Sequence, residues 1–164
     1  MIKKASFFIF LFCISSLYSE NIVGFWKTRN DKTGKPQSII GIYEYQNRYY
    51  GRIIGSYDEE GKMDDTIYDP IGRANAVQGD PYFSGLDIVW VNKRGNGYQG
   101  TILDPRNGST YRVEITRNNN KLFVKGKLLF FSGTRVWTLA TPSDFPKDFK
   151  MPDLSTFVPS IPRT

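Results

Sequence analysis

The chain has no histidine in its 164 residues and a single cysteine, Cys13. Without an imidazole it cannot build a His-assisted serine or cysteine nucleophile or an imidazole zinc site. One thiol is too few for a thiolate zinc site or a c-type haem attachment. Nor can it close an internal disulfide, so a folded domain must rest on its hydrophobic core. Also missing is a sustained 3.6-residue apolar period, which argues against a helical bundle. The longest apolar run falls short of the roughly 20 residues that a membrane-spanning helix needs. Carboxylates, lysines and tyrosines remain for chemistry, and none stands in a specific catalytic motif. No catalytic residue, metal ligand or cofactor is therefore expected.

Charge is present but scattered. Lys93-Arg94 and Lys121, Lys125 and Lys127 read as solvated strand faces and turns, so no nucleic-acid partner is expected. The acidic stretch from Asp58 through Asp65 does not follow the ligand order of an EF-hand, and Lys62 interrupts it.

Lys3 and Lys4 precede an apolar run from Phe7 to Ile14, and Ser15, Ser16 and Ser19 lead into Glu20. This is the pattern of a secretory signal peptide, residues 1–19, with cleavage after Ser19. Phe12 beside Cys13 is too large for lipid attachment there. The expected product is periplasmic or secreted, with no stable membrane anchor once cleaved. Loss of Lys3 and Lys4 reduces the 22 basic residues to 20 against 16 acidic ones, a net charge of +4. About 145 residues then remain, one ordinary domain.

Short runs rich in β-branched and aromatic residues recur between Gly, Asn, Asp and Pro. They predict strands at about 22–28, 38–46, 48–57, 86–93, 97–104, 109–117, 121–130 and 133–140. The clearest alternation sets Tyr111, Val113 and Ile115 against Arg112, Glu114 and Thr116. Gln46-Asn47, Gly95-Asn96-Gly97 and Asp104-Pro105-Arg106-Asn107-Gly108 supply hairpin turns. The pattern predicts an all-β fold, a single up-and-down antiparallel barrel of about eight strands, because closure removes exposed edges. Residues 20–140 form that domain. The 58–85 connection reads as a rim or lid, a short helix or a misassigned strand. The Pro- and Phe-containing tail, residues 141–164, is either disordered or laid against the barrel wall.

Gly24-Phe25-Trp26 at the head of the first strand fits a barrel floor, with a glycine for close backbone approach and a tryptophan as plug. Gly126, at an inward position, leaves room for a ligand or marks a bulge. Candidate ligand-binding wall residues are Ile42, Tyr43, Tyr50, Ile54, Trp90, Tyr98, Tyr111, Val113 and Leu128, with Ile40 beside them. Arg52 alternates with Tyr50 and Ile54 and is expected to point outward.

Gly24-Phe25-Trp26, Ile42-Tyr43, Tyr50-Gly51-Arg52-Ile53, Gly100-x-x-x-Asp104-Pro105-x-x-Gly108-x-x-Tyr111 and Leu122-x-Val124-x-Gly126 occur in that order, and the last strand carries Trp137. Over about residues 23–139 this order resembles the secreted bacterial family called domain of unknown function 2147. The resemblance implies a lipocalin-like, calycin-type barrel and no settled activity. It also implies that the floor tryptophan, Trp26, packs against an arginine of the closing strand, here Arg135. Leu139 stands where the resemblance implies a second arginine. The functional expectation is an exported barrel holding a small apolar or amphipathic molecule of lipid or fatty-acid type. The alternative is a ligand-free barrel serving as a protein-protein interaction module of the cell envelope, with an enzyme the least favoured reading.

Overall fold

The computed structural model describes residues 20–128 and 131–163, without the side chains of residues 127, 128, 131 and 132. The expected signal peptide and the Leu128 side chain lie outside the described residues. Nine strands follow one another: β1 (Gly24–Arg29), β2 (Pro36–Tyr45), β3 (Arg48–Tyr57), β4 (Met63–Thr66), β5 (Asp87–Arg94), β6 (Gly97–Asp104), β7 (Ser109–Asn118), β8 (Lys121–Leu128) and β9 (Phe131–Leu139). Eight of them close an antiparallel barrel in the order β1-β2-β3-β5-β6-β7-β8-β9, and β9 returns to β1. The fourth, β4, pairs only with the upper end of β3. It lies in the 58–85 connection, whose Ala74 and Val77 join the barrel core. That long segment is pinned to the barrel at its buried Met63, Ala74, Val77 and Ser84, with Gly85 N–H donating to Ile53 O at 2.8 Å.

The hairpins follow from local chemistry. Gln46 and Asn47 both take positive φ, 49° and 61°, the twist that a two-residue link between antiparallel strands needs. In β7 the alternation resolves as expected. Val113 sits opposite Gly100 on one side and Gly126 on the other, while Arg112 and Glu114 face away.

Two apolar clusters result. The larger lies inside the barrel around Trp26, Ile42, Val89, Val91, Tyr98, Ile115 and Leu122. The smaller lies outside it, where Ile39, Ile54 and Met63 are covered by Phe145, Phe149 and Phe157 of the tail. Strand alternation turns Ile39 and Ile54 outward and leaves Ile40 and Ile53 facing in, and the register shift between Ile39 and Ile40 makes Ile54 the extra, unpaired residue.

The tail is therefore a strap against the wall. Ala140 N–H donates to Phe25 O, and two short 3-10 turns, Pro142–Asp144 and Leu154–Thr156, follow. Phe145 meets Phe25 edge-on at 5.9 Å and stacks on Phe149 at 5.3 Å. Lys27 pairs with Asp144, and Gln78 N–H donates to Arg163 O at 2.9 Å.

Candidate functional site

The lower half of the barrel is solid. Trp26 is fully buried and its indole N–H donates to Ile22 O at 2.8 Å. The cation over it is Arg117 of β7, whose guanidinium carbon lies 5.1 Å from the ring centroid. Arg117 also donates to the carbonyls of Asn21 and Asn119 and pairs with Glu20 at 3.3 Å, drawing the segment before β1 across the floor. The expected stack of Arg135 on Trp26 is not formed. Arg135 is paired with Asp31 at 2.7 Å instead, because β9 runs from mouth to floor and residue 135, at its midpoint, stands above Leu139, the residue opposite Trp26. Gly24 is needed for its backbone, φ +143°, rather than for close approach: a Cβ there meets Leu139 and Trp26 only at 3.9 Å.

The upper half is hollow. A cavity of about 560 Å³ opens at the mouth, within the roughly 300–1,000 Å³ typical of small-molecule pockets. Its base is Trp137 and Val124, and Ile40, Ile53, Ile88, Ile102 and Tyr111 supply apolar wall. Thr28, Ser38 and Ser56 form a polar row across β1–β3 on the mouth side of Ile40 and Ile53. What opens the space is a pair of glycines, Gly126 of β8 facing Gly133 of β9. A Cβ added at either meets no described atom within 4 Å. Elsewhere inside the barrel glycine does the opposite: a Cβ on Gly100 lands 2.2 Å from Trp90 O.

The charged groups that line the cavity, among the described residues, stand at its rim. Arg106 forks onto Asp104, Nε to Oδ1 at 2.9 Å and Nη2 to Oδ2 at 2.8 Å. That bond outweighs burial and holds the Asp104 carboxyl below its ordinary value. Tyr57 lines the rim and donates to Asp144 O of the strap at 2.6 Å. Burial first, and then the Asp144 charge, push its phenol up to about 12.

Among the expected wall residues, Tyr111 lines this cavity, as does Ile40. Ile42, Tyr98 and Val113 lie in the packed interior instead and fill space rather than enclose it. Tyr43, Tyr50, Ile54 and Trp90 are on the outer face. Tyr43 opposes Tyr50, and Tyr50 opposes Trp90, while Gly51 and Val89 beside them face in. Under the strap, Tyr43 and Arg52 serve a buried carboxylate. Asp87, 1% exposed, accepts from Tyr43 Oη at 2.8 Å, from Arg52 Nε and Nη2 at 3.0 and 2.8 Å, and from Ser160 N–H at 2.8 Å. Burial and the Asp87 charge raise the Tyr43 phenol above its ordinary value. Arg52 does point outward, reaching Val158 O at 2.7 Å and lying 4.6 Å over the Phe157 ring.

The sequence reading missed the rim set of Arg29, Asp31, Asp104 and Arg106. The Asp104-Pro105-Arg106 signal was visible, but turn chemistry alone explains it, and Asp104 does cap the turn through Arg106 N–H at 3.1 Å.

A closed eight-stranded antiparallel barrel, plugged by a tryptophan below and open above, is a lipocalin-like fold. One solved structure, "Protein HP1028 from the human pathogen Helicobacter pylori belongs to the lipocalin family", is similar over 76% of this chain and 86% of its own, with a TM-score of 0.59 and 18% identity. At that identity the likeness is one of fold. The chain belongs to the family described as uncharacterized protein conserved in bacteria (DUF2147), whose model matches residues 24–139. A search of the curated proteins matches none of them. The family match ends at Leu139, so the strap lies beyond it.

Proposed function

We propose that this protein is exported, to the periplasm or beyond, and holds a small apolar or amphipathic molecule in the upper half of its barrel. The observation that carries the binding reading is the hollow of about 560 Å³ opened by Gly126 and Gly133 above a solid floor. Packed interiors leave few voids larger than a water. A space of this size, with isoleucines deeper and a row of hydroxyls nearer the mouth, suits a ligand with one wet end. Binding would come from apolar burial at about 25 cal/mol per Å², with the hydroxyls of Thr28, Ser38 and Ser56 fixing orientation. Support for export is the charged and apolar order of residues 3–14.

Titration with the neutral dye N-phenyl-1-naphthylamine tests the site. Saturable fluorescence enhancement is expected, reversed by competing lipids and lost in Gly126→Leu. Enhancement that survives Gly126→Leu unchanged places the dye elsewhere and contradicts the reading. Export is tested by expressing the full chain in bacteria and weighing the product: a periplasmic species beginning at Glu20 is expected, and a cytoplasmic one retaining residues 1–19 contradicts it.

A further inference from the structure

Among the described residues, the ionised groups lining the cavity all stand at its mouth, and they do not balance. Three are guanidiniums, Arg29, Arg106 and Arg135, and two are carboxylates, Asp31 and Asp104. Arg106 is matched to Asp104 and Arg135 to Asp31. Both pairs line the same mouth. Arg29 makes no ion pair among the described residues. Its Nη1 donates to Gly34 O at 3.0 Å and its other donors are left over. No carboxylate lines the space below the rim. The described lining of the mouth thus carries one positive charge in excess, above a vessel with apolar wall at Ile40, Ile53, Ile88 and Ile102.

Resting on the reading of the barrel as a vessel for an amphipathic molecule, we propose that its ligand carries one anionic head group, a carboxylate or a phosphate, bound at Arg29 and Arg135 with the apolar part below. An anion at Arg29 neutralises the surplus. A cationic head would add to it and would have to compete with arginines for Asp31 and Asp104. A guanidinium fork matches the oxygens of both candidate heads. Arg135 is available because the floor tryptophan is served by Arg117 instead. Its pairing with Asp31 is with side chains 57% and 55% exposed, and such exposed pairs contribute so little that exchanging Asp31 for a ligand oxygen is cheap.

The test displaces N-phenyl-1-naphthylamine with four compounds of equal chain length: dodecanoate, dodecyl phosphate, dodecanol and dodecylamine. Both or either of the anions should bind about tenfold more tightly than the alcohol, and the amine least. The tighter anion names the head group, and added salt should narrow the gap. In the Arg29→Gln/Arg135→Gln double variant the anions should fall to the level of the alcohol. Equal affinity of alcohol and anions, a preference for the amine, or an anion preference that survives the double variant overturns the head-group assignment while leaving the vessel reading intact. Failure of all four to displace bound dye, or of the dye to bind, removes the vessel reading and this inference with it.

Discussion

Two inward glycines of one barrel should respond to a side chain with opposite signs. Gly126 faces Gly133 across the β8–β9 ladder, neither has a positive φ, and a Cβ on either meets no described atom within 4 Å. A Gly126→Leu side chain would enter the hollow and pack toward Val124 and Trp137. Full burial of a leucine stabilises by about 1.5–3 kcal/mol, and roughly half of that is available in an open hollow. Removing a strand glycine adds about 0.5–1 kcal/mol. The sum is a gain of about 1.3–2.5 kcal/mol, or about 4–8 °C in Tm for a domain of this size. Gly100→Ala has no such room, with its Cβ 2.2 Å from Trp90 O and 2.7 Å from Val91 Cα, both backbone atoms. Overpacking that must move backbone costs about 3 kcal/mol. Thermal unfolding followed by circular dichroism reads both variants. A Gly126→Leu protein destabilised as much as Gly100→Ala would refute the hollow.

The buried Asp87 holds Tyr43, Arg52 and Ser160 together. Asp87→Asn removes the charge partner of Arg52 and should cost about 3 kcal/mol, read as a lowered urea midpoint. At the floor, Arg117→Leu should lose about 1–2 kcal/mol with the cation–π contact and the anchoring of Glu20 and Asn21, whereas Arg135→Leu should leave the urea midpoint nearly unchanged. Acid should loosen the strap. Burial raises the Asp144 carboxyl, but the Lys27 ammonium and the amide and hydroxyl of Thr141 outweigh it and hold it below its ordinary value. The folded state then binds fewer protons than the unfolded one. The stabilisation is complete above about pH 4, the unfolded value, and is lost as pH falls through the folded value. Tm measured from pH 7 to pH 2 should show that loss, and Asp144→Asn should flatten it.

The fold was legible because β7 and its hairpins obey a period of two with one face wet. The faces of β2 and β3 were not, because the strap makes their outer side apolar too. Ile39-Ile40 and Ile53-Ile54 each put one residue in and one out, and two adjacent isoleucines carry no alternation to read. That is why Tyr43 and Ile54 look like cavity wall in the sequence and lie beneath Phe157 and the tail in the fold. Ile42, Tyr98 and Val113 face inward, but height along the barrel decides between filling and lining, and no local pattern reports height. Gly126 was a signal with two meanings. Only its pairing with Gly133, set by strand register, makes it an opening. The Asp31–Arg135 pair is hidden for a related reason, since its members are distant in sequence and meet only when β9 closes on β1.

The most direct measurement of the central claim is native mass spectrometry of the protein recovered from a bacterial periplasm, beside Gly126→Leu prepared identically. The account predicts an added mass on the first that disappears on denaturation and is absent from the second. A clean apo mass for both, unchanged after exposure to fatty acids and lipids, would contradict it.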